Sequence, residues 1–169
     1  MVYSGQSGRY PFSLHFGDAE APAVSDLFHV QRSATGNAVT FYRTFLSASG
    51  VPFELRKTFQ FQPRDYVIKL DVELRNSVNA NLPLNFGDLA YTLGFGPQIG
   101  PPFEKLDRYS ETRTYMYYAE AKRHNVNIPK DGRLELKTRV TWAALMGKYF
   151  EVIGVADATS SVTFLNRPI

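Results

Sequence analysis

No cysteine occurs among the 169 residues, so disulfides, thiolate zinc sites and cysteine nucleophiles are excluded together. The same absence fits the cytosol and the periplasm equally. Long apolar runs are missing too. None approaches the roughly 18 to 20 residues that a membrane-crossing helix requires, and no charged start followed by an apolar stretch has the form of a signal peptide. Nor is there a block of one sign. Nineteen Lys and Arg stand against sixteen Asp and Glu, a formal +3 spread along the chain, which leaves no basic stripe of the kind that nucleic acid requires. Heptads, internal repeats and low-complexity tracts are absent, and nothing marks a domain boundary.

What the chain does have is apolar and aromatic content, 44% and 14%. At this length one domain hides roughly 70% of the surface that the unfolded chain exposes. Residues 1–10 are small and polar and read as a leader; residues 11–169 read as a single β domain. Phe12, Leu14 and Phe16 alternate with Ser13 and His15, the period of a half-buried strand. Residues 27–32 repeat that pattern more weakly, and the acidic stretch 17–25 between them reads as a connection holding about one helical turn. Turn chemistry at Thr35-Gly36-Asn37 leads into a strand over 38–48. Phe53, Leu55, Phe59 and Phe61 then face away from Glu54, Arg56, Thr58 and Gln60, and Tyr66, Ile68, Leu70, Val72 and Leu74 away from Lys69, Asp71, Glu73 and Arg75. With Gln62-Pro63-Arg64-Asp65 between them, these runs are two antiparallel neighbours with one wet face. Further strands are expected over 82–86, 113–121, 133–142, 149–156 and 162–165, that over 149–156 buried on both faces, with one helical turn near 103–109. The chain is all-β, with about ten strands.

Residues 91–107 are the most distinctive text. Gly94, Gly96, Pro97, Gly100, Pro101 and Pro102 specify a shaped loop with few ladder bonds. Phosphate binding would need free amides ahead of a helix start, and Pro97, Pro101 and Pro102 delete three of them. The three histidines, His15, His29 and His124, show no metal-ligand spacing. His124 with Glu104 or Glu111 is the one pairing that proton transfer could use, and Gly-x-Ser-x-Gly is absent. Tyr115, Tyr117 and Tyr118, beside Arg113, Lys122 and Arg123, either pack alternately on a strand or stack on a ligand.

Tyr91-Thr92-Leu93-Gly94-Phe95-Gly96-Pro97-Gln98-Ile99-Gly100-Pro101, then Phe103-Glu104-Lys105-Leu106-Asp107, Tyr115 to Tyr118, and Trp142 followed by Gly147-Lys148-Tyr149-Phe150, resemble the large periplasmic domain of the YidC membrane protein insertases. The matched spacings extend from about Phe12 to Leu165. The resemblance implies a β-supersandwich similar to galactose mutarotase, with antiparallel sheets and little helix, held in the periplasm by the transmembrane helices of a full-length, membrane-anchored protein. It implies a non-catalytic binding or docking module without catalytic, cofactor or metal residues. Gly94, Gly96, Pro97, Gln98, Gly100, Pro101, Phe103 and Glu104 form the family-signature loop, expected to brace its strand. The partners implied are nascent membrane proteins and Sec translocon components, for which Tyr115, Tyr117, Tyr118 and Trp142 are the candidate groove contacts. In the family the domain continues beyond the position of Leu165, so this chain is expected to be truncated at its C-terminal end and to leave a strand edge uncovered. The alternative function is a mutarotase-like sugar-binding or aldose epimerase domain.

Overall fold

A stretch that alternates apolar and polar residues as 38–76 does can bury its apolar side only as paired strands. The computed structural model of the chain describes residues 2–3, 11–76, 89–95, 98–99, 114–147, 151–157 and 161–165. Its strands are β1 Val2–Tyr3, β2 Leu14–His15, β3 His29–Arg32, β4 Ala38–Leu46, β5 Pro52–Phe61, β6 Ile68–Asn76, β7 Thr92–Leu93, β8 Gln98–Ile99, β9 Thr114–Ala119, β10 Lys122–Val126, β11 Arg133–Leu136, β12 Trp142–Met146, β13 Glu151–Val155 and β14 Val162–Leu165. Among the described residues there is no helix, and every strand pair is antiparallel. The fold is all-β.

Two compact units make up the chain. One is Phe16–Tyr91, whose four-stranded sheet has the order β3-β4-β5-β6. The β3–β4 and β4–β5 connections use the same device. In Ser33-Ala34-Thr35-Gly36 and Ser47-Ala48-Ser49-Gly50, the glycine amide donates to the serine carbonyl, at 3.0 and 2.9 Å. Each serine hydroxyl accepts from a later backbone amide, Ala38 in one and Val51 in the other, both at 3.0 Å. Gly36 and Gly50 have φ of 73° and 78°, a region that glycine enters without a Cβ penalty. Stretch 17–25 contains a side-chain-capped turn instead of a helical one, the Asp18 carboxylate accepting from the amides of Glu20 and Ala21.

The register sorts the sheet's side chains. Phe53, paired with Phe45, and Leu55, paired with Leu74, are almost completely buried. The rings of Phe16 and Phe28 cover that end, Phe16 lying 5.4 Å from Phe45 and 5.5 Å from Phe53, and Phe28 6.2 Å from Phe45. Arg43 pins the covering segment by donating to the Leu27 carbonyl at 2.7 Å and pairing with Asp26 at 3.0 Å. On the opposite face, Glu54–Arg56, Lys69–Asp71 and Glu73–Arg75 form ion pairs two residues apart. Arg75 also holds the Glu73 carboxyl below its ordinary range, chiefly through its hydrogen bond. Lys57 breaks the alternation. It pairs with Phe41 and Val72 on the apolar face, 5.9 Å from the Phe59 ring, and burial lowers the pKa of its amine.

The second unit comprises Met1–His15 and Thr92–Ile169. Its largest sheet has the order β10-β9-β12-β13, beside the two-stranded pairs β11-β14, β2-β7 and β1-β8. Several sequence expectations change here. The leader contributes β1, which pairs with β8. Phe12 stands in a turn at φ 61° instead of in a strand. The strand expected over 133–142 is two, β11 pairing with β14 and β12 with β9 and β13, because the chain leaves one sheet and joins the other between Leu136 and Trp142. The strand expected over 149–156 is described as β13, and it is open on one side instead of buried on both, with Val155 72% exposed. The strand expected over 82–86 and the helical turn near 103–109 lie outside the described residues.

The β9–β10 hairpin was not anticipated. Its loop is Glu120-Ala121, with φ of 52° and 58°. Both residues thus occupy the left-handed region that a two-residue hairpin of this twist requires and that Asn-Gly fills most cheaply. Glu120→Asn with Ala121→Gly is expected to raise stability by about 1 kcal/mol, and Ala121→Val to lower it by a similar amount or more; denaturant midpoints of the two variants should move in opposite directions. Lys57 yields a second expectation. Because its folded pKa is lowered, the unfolded chain binds more protons between that value and the ordinary 10.5, so stability rises with pH across that window. In Lys57→Met the alkaline rise should be missing from a series of melting temperatures against pH.

Candidate docking surface

Cross-strand register decides which residues of the four-stranded sheet can act together. Arg123, Tyr118, Trp142 and Val155 lie in one row across β10, β9, β12 and β13, and Asn125, Met116, Ala144 and Ile153 in a row on the same face. His124, Tyr117, Ala143 and Gly154 form a row on the other face, as do Val126, Tyr115, Leu145 and Val152. The four candidate contacts therefore divide two and two.

Tyr115 and Tyr117 are half-buried and pack toward β14. Their rings lie 5.8 and 6.2 Å from Phe164 of β14, and the Tyr115 hydroxyl donates to the Leu165 carbonyl at 3.5 Å. Tyr117 also stacks on His124, with centroids 4.7 Å apart and planes 11° apart. His124 thus serves as a packing ring. The partners weighed for it in proton transfer, Glu104 and Glu111, lie outside the described residues. Of the other histidines, His15 is hydrogen-bonded to the Ser13 hydroxyl at 3.2 Å and His29 lies 5.3 Å from Tyr42. Among the described residues no three His, Asp or Glu side chains are grouped to hold a metal ion.

Tyr118 and Trp142 take the opposite face. They stack at 5.8 Å with planes 18° apart, between Arg123 on one side and Val155 on the other. Met116 and Ala144 at the centre of this face are buried, whereas Ile153 and Val155 at its β13 border are open. Among the described residues β13 pairs only with β12, and Arg139 fixes its end by donating to the Asp157 carbonyl at 3.1 Å. An aromatic stack, two exposed aliphatics and a strand edge thus adjoin. Such an edge can take an extended polypeptide as an added strand, and the aliphatic border gives that strand an apolar neighbour. Sequence reading found Tyr118 and Trp142 but missed Ile153 and Val155, whose alternation with Val152 and Gly154 was the available signal.

Of the signature loop, Gly94 and the backbone of Gln98 are described; Gly96, Pro97, Gly100, Pro101, Phe103 and Glu104 lie outside the described residues. The described part is tied to the turn before β2. The Gly94 amide donates to the Ser13 carbonyl at 2.6 Å, β7 pairs with β2, and the Phe95 ring meets Phe12 edge-on at 5.8 Å. A side chain at Gly94 would run into the Ser13 hydroxyl. Tyr91, at the start of the signature, is half-buried, and desolvation raises the pKa of its phenol.

Two curated relatives resemble the chain, both called membrane protein insertase YidC. The one from Treponema pallidum (strain Nichols) is 32% identical over 197 aligned residues, covering 96% of this chain and 32% of the relative. The one from Treponema denticola (strain ATCC 35405) is 33% identical over 149, covering 83% of this chain and 25% of the relative. The chain spans between a quarter and a third of the length of these relatives. No family model matches it, and no solved structure does.

The Gly94 contact can be tested by coupling. Gly94→Ala is expected to cost about 1 kcal/mol by displacing the Ser13 hydroxyl from His15, and Ser13→Ala in the same chain to return most of that loss. Urea midpoints of the two single variants and the double variant measure it; additive losses would mean that the contact lies elsewhere.

Proposed function

Since the chain belongs to the YidC family of membrane protein insertases, we propose that it is a periplasmic, non-catalytic docking module of such a protein, receiving extended segments of nascent membrane proteins or of the Sec translocon. The observation that carries this reading is the β13 border, where Ile153 and Val155 are exposed beside a strand that has one ladder partner among the described residues. An extended apolar segment gains main-chain hydrogen bonds there and loses apolar surface to water on one side only.

The absence of cysteine from the chain makes Val155→Cys a unique handle within it. In spheroplasts carrying the parent protein with this change, a membrane-impermeant maleimide bearing a photoreactive benzophenone should label Val155→Cys from outside. Illumination should then yield adducts with membrane-protein substrates or translocon subunits, while Gln31→Cys on the other unit yields none. Failure to label would overturn the periplasmic placement; labelling without adducts above those of Gln31→Cys would overturn docking at β13.

A further inference from the structure

The sheet of Phe16–Tyr91 carries its apolar face beyond the layer that covers it. Burial is nearly complete at Phe53 and Leu55, yet on the same face Phe61 is 44% exposed and its cross-strand partner Ile68 is 47% exposed. Past them, in the β5–β6 connection, Val67 is 54% exposed and Tyr66 fully so. The connection is held by its own backbone, the Asp65 amide donating to the Gln62 carbonyl at 3.2 Å and the Asp65 carboxylate accepting from the Val67 amide at 3.3 Å. Arg64 sits at φ 68° within it. Four large apolar side chains thus cluster at one hairpin tip, which monomeric proteins seldom expose without a partner.

Charge is sorted between the two faces. The register puts Arg32, Lys57 and Arg43 on the apolar face, in the rows of Val39, Phe59 and Leu70, of Phe41 and Val72, and of Leu55 and Leu74, and no acidic residue among that face's strand positions; Arg43 is paired with Asp26. Glu54, Asp71 and Glu73 lie on the opposite face, each balanced there by Arg56, Lys69 or Arg75 in an ion pair. The tip therefore offers apolar groups with Arg32 at its base and Arg64 at its turn, where the one carboxylate, Asp65, is engaged by the Val67 amide, while the strand carboxylates point away.

We infer that this hairpin tip docks on a bilayer surface containing anionic lipid, with Phe61, Tyr66, Val67 and Ile68 at the boundary of headgroups and acyl chains and Arg64 and Arg32 among the phosphates. Tyrosine suits this position because its ring is apolar and its hydroxyl stays wet, and an arginine near an anionic surface adds electrostatic attraction. Amphipathic elements bind interfaces by this combination of buried apolar area and basic charge. The inference draws on the family only for a bilayer close to the chain.

Co-sedimentation of the 169-residue chain with vesicles of equimolar phosphatidylglycerol and phosphatidylcholine tests it, against vesicles of phosphatidylcholine alone. The chain should partition onto the anionic vesicles and be released by salt. Tyr66→Ser with Val67→Ser should lower the partition coefficient about tenfold or more, and Arg64→Glu about tenfold on anionic vesicles with little change on neutral ones. These residues are exposed, so the variants should keep the parent's melting temperature, and that control is read first. No partitioning, or partitioning indifferent to the tip, overturns the inference. Saturable binding of an acidic amphipathic peptide without vesicle binding would assign the face to a protein instead. Either result leaves the Val155→Cys adducts readable, so the two proposals fail separately.

Discussion

Register between β4, β5 and β6 is the constraint on which the Phe16–Tyr91 unit depends. Side chains alternate with a period of two, so a slip of one residue would send Phe53 and Leu55 into water and bring Glu54 and Arg56 against Phe16. Two local devices resist the slip. The serine-glycine turns at either end of β4 fix where pairing begins, each with backbone and side-chain hydrogen bonds. The cross-strand bond between the hydroxyls of Thr40 and Thr58, at 3.0 Å, then holds the middle of the polar face. The ion pairs on that face contribute little stability by themselves, because they are exposed in whole or part. Their larger effect is on specificity, since a slipped register would have to turn these charges onto the apolar face at a desolvation cost.

The same logic governs the tyrosines of the second unit. Consecutive Tyr117 and Tyr118 must face opposite sides of β9, so one packs with Phe164 and His124 and the other with Trp142. Composition alone suggested a single aromatic surface, but the strand period allows only half of these rings on either face. The face that keeps Tyr118 and Trp142 also runs to the exposed border of β13, so the surviving contacts adjoin a sheet edge.

Much of the fold was legible wherever local chemistry and long-range packing agree. The β5–β6 pair was plain because every second residue is apolar, and the turns at Gly36 and Gly50 because glycine marks positive φ. Legibility failed where tertiary context overrides local preference. Glu120 and Ala121 carry no turn signal, and sheet pairing on either side forces them into the left-handed region. Lys57 sits in an apolar row that its charge disguises. The segment from Leu136 to Trp142 keeps a strand's alternation while it changes sheets, because alternation records which side is buried and not which strand is the neighbour. The candidate site was half legible for the same reason. Aromatic type singled out the right row of β9 and β12, but the open side of β13 depends on what lies beside it.

Apolar side chains at the β5–β6 tip are not required by the sheet they extend. The β3–β4 turn reaches the same end of the sheet, where the Phe61 amide donates to the Asn37 carbonyl at 2.8 Å, and it carries no large apolar side chain, its Ser33, Thr35 and Asn37 being hydrogen-bonded to one another. Two hairpins at one end of one sheet thus meet solvent with opposite chemistry. Folding could be served by a polar tip in both, since side chains left about half in water return only part of the free energy of burial. Exposed apolar clusters also carry an aggregation liability. Their restriction to one hairpin, on the face that holds Arg32, Arg43 and Lys57 and none of the strand carboxylates, is therefore better explained by a surface that the tip meets than by the stability of the strands behind it.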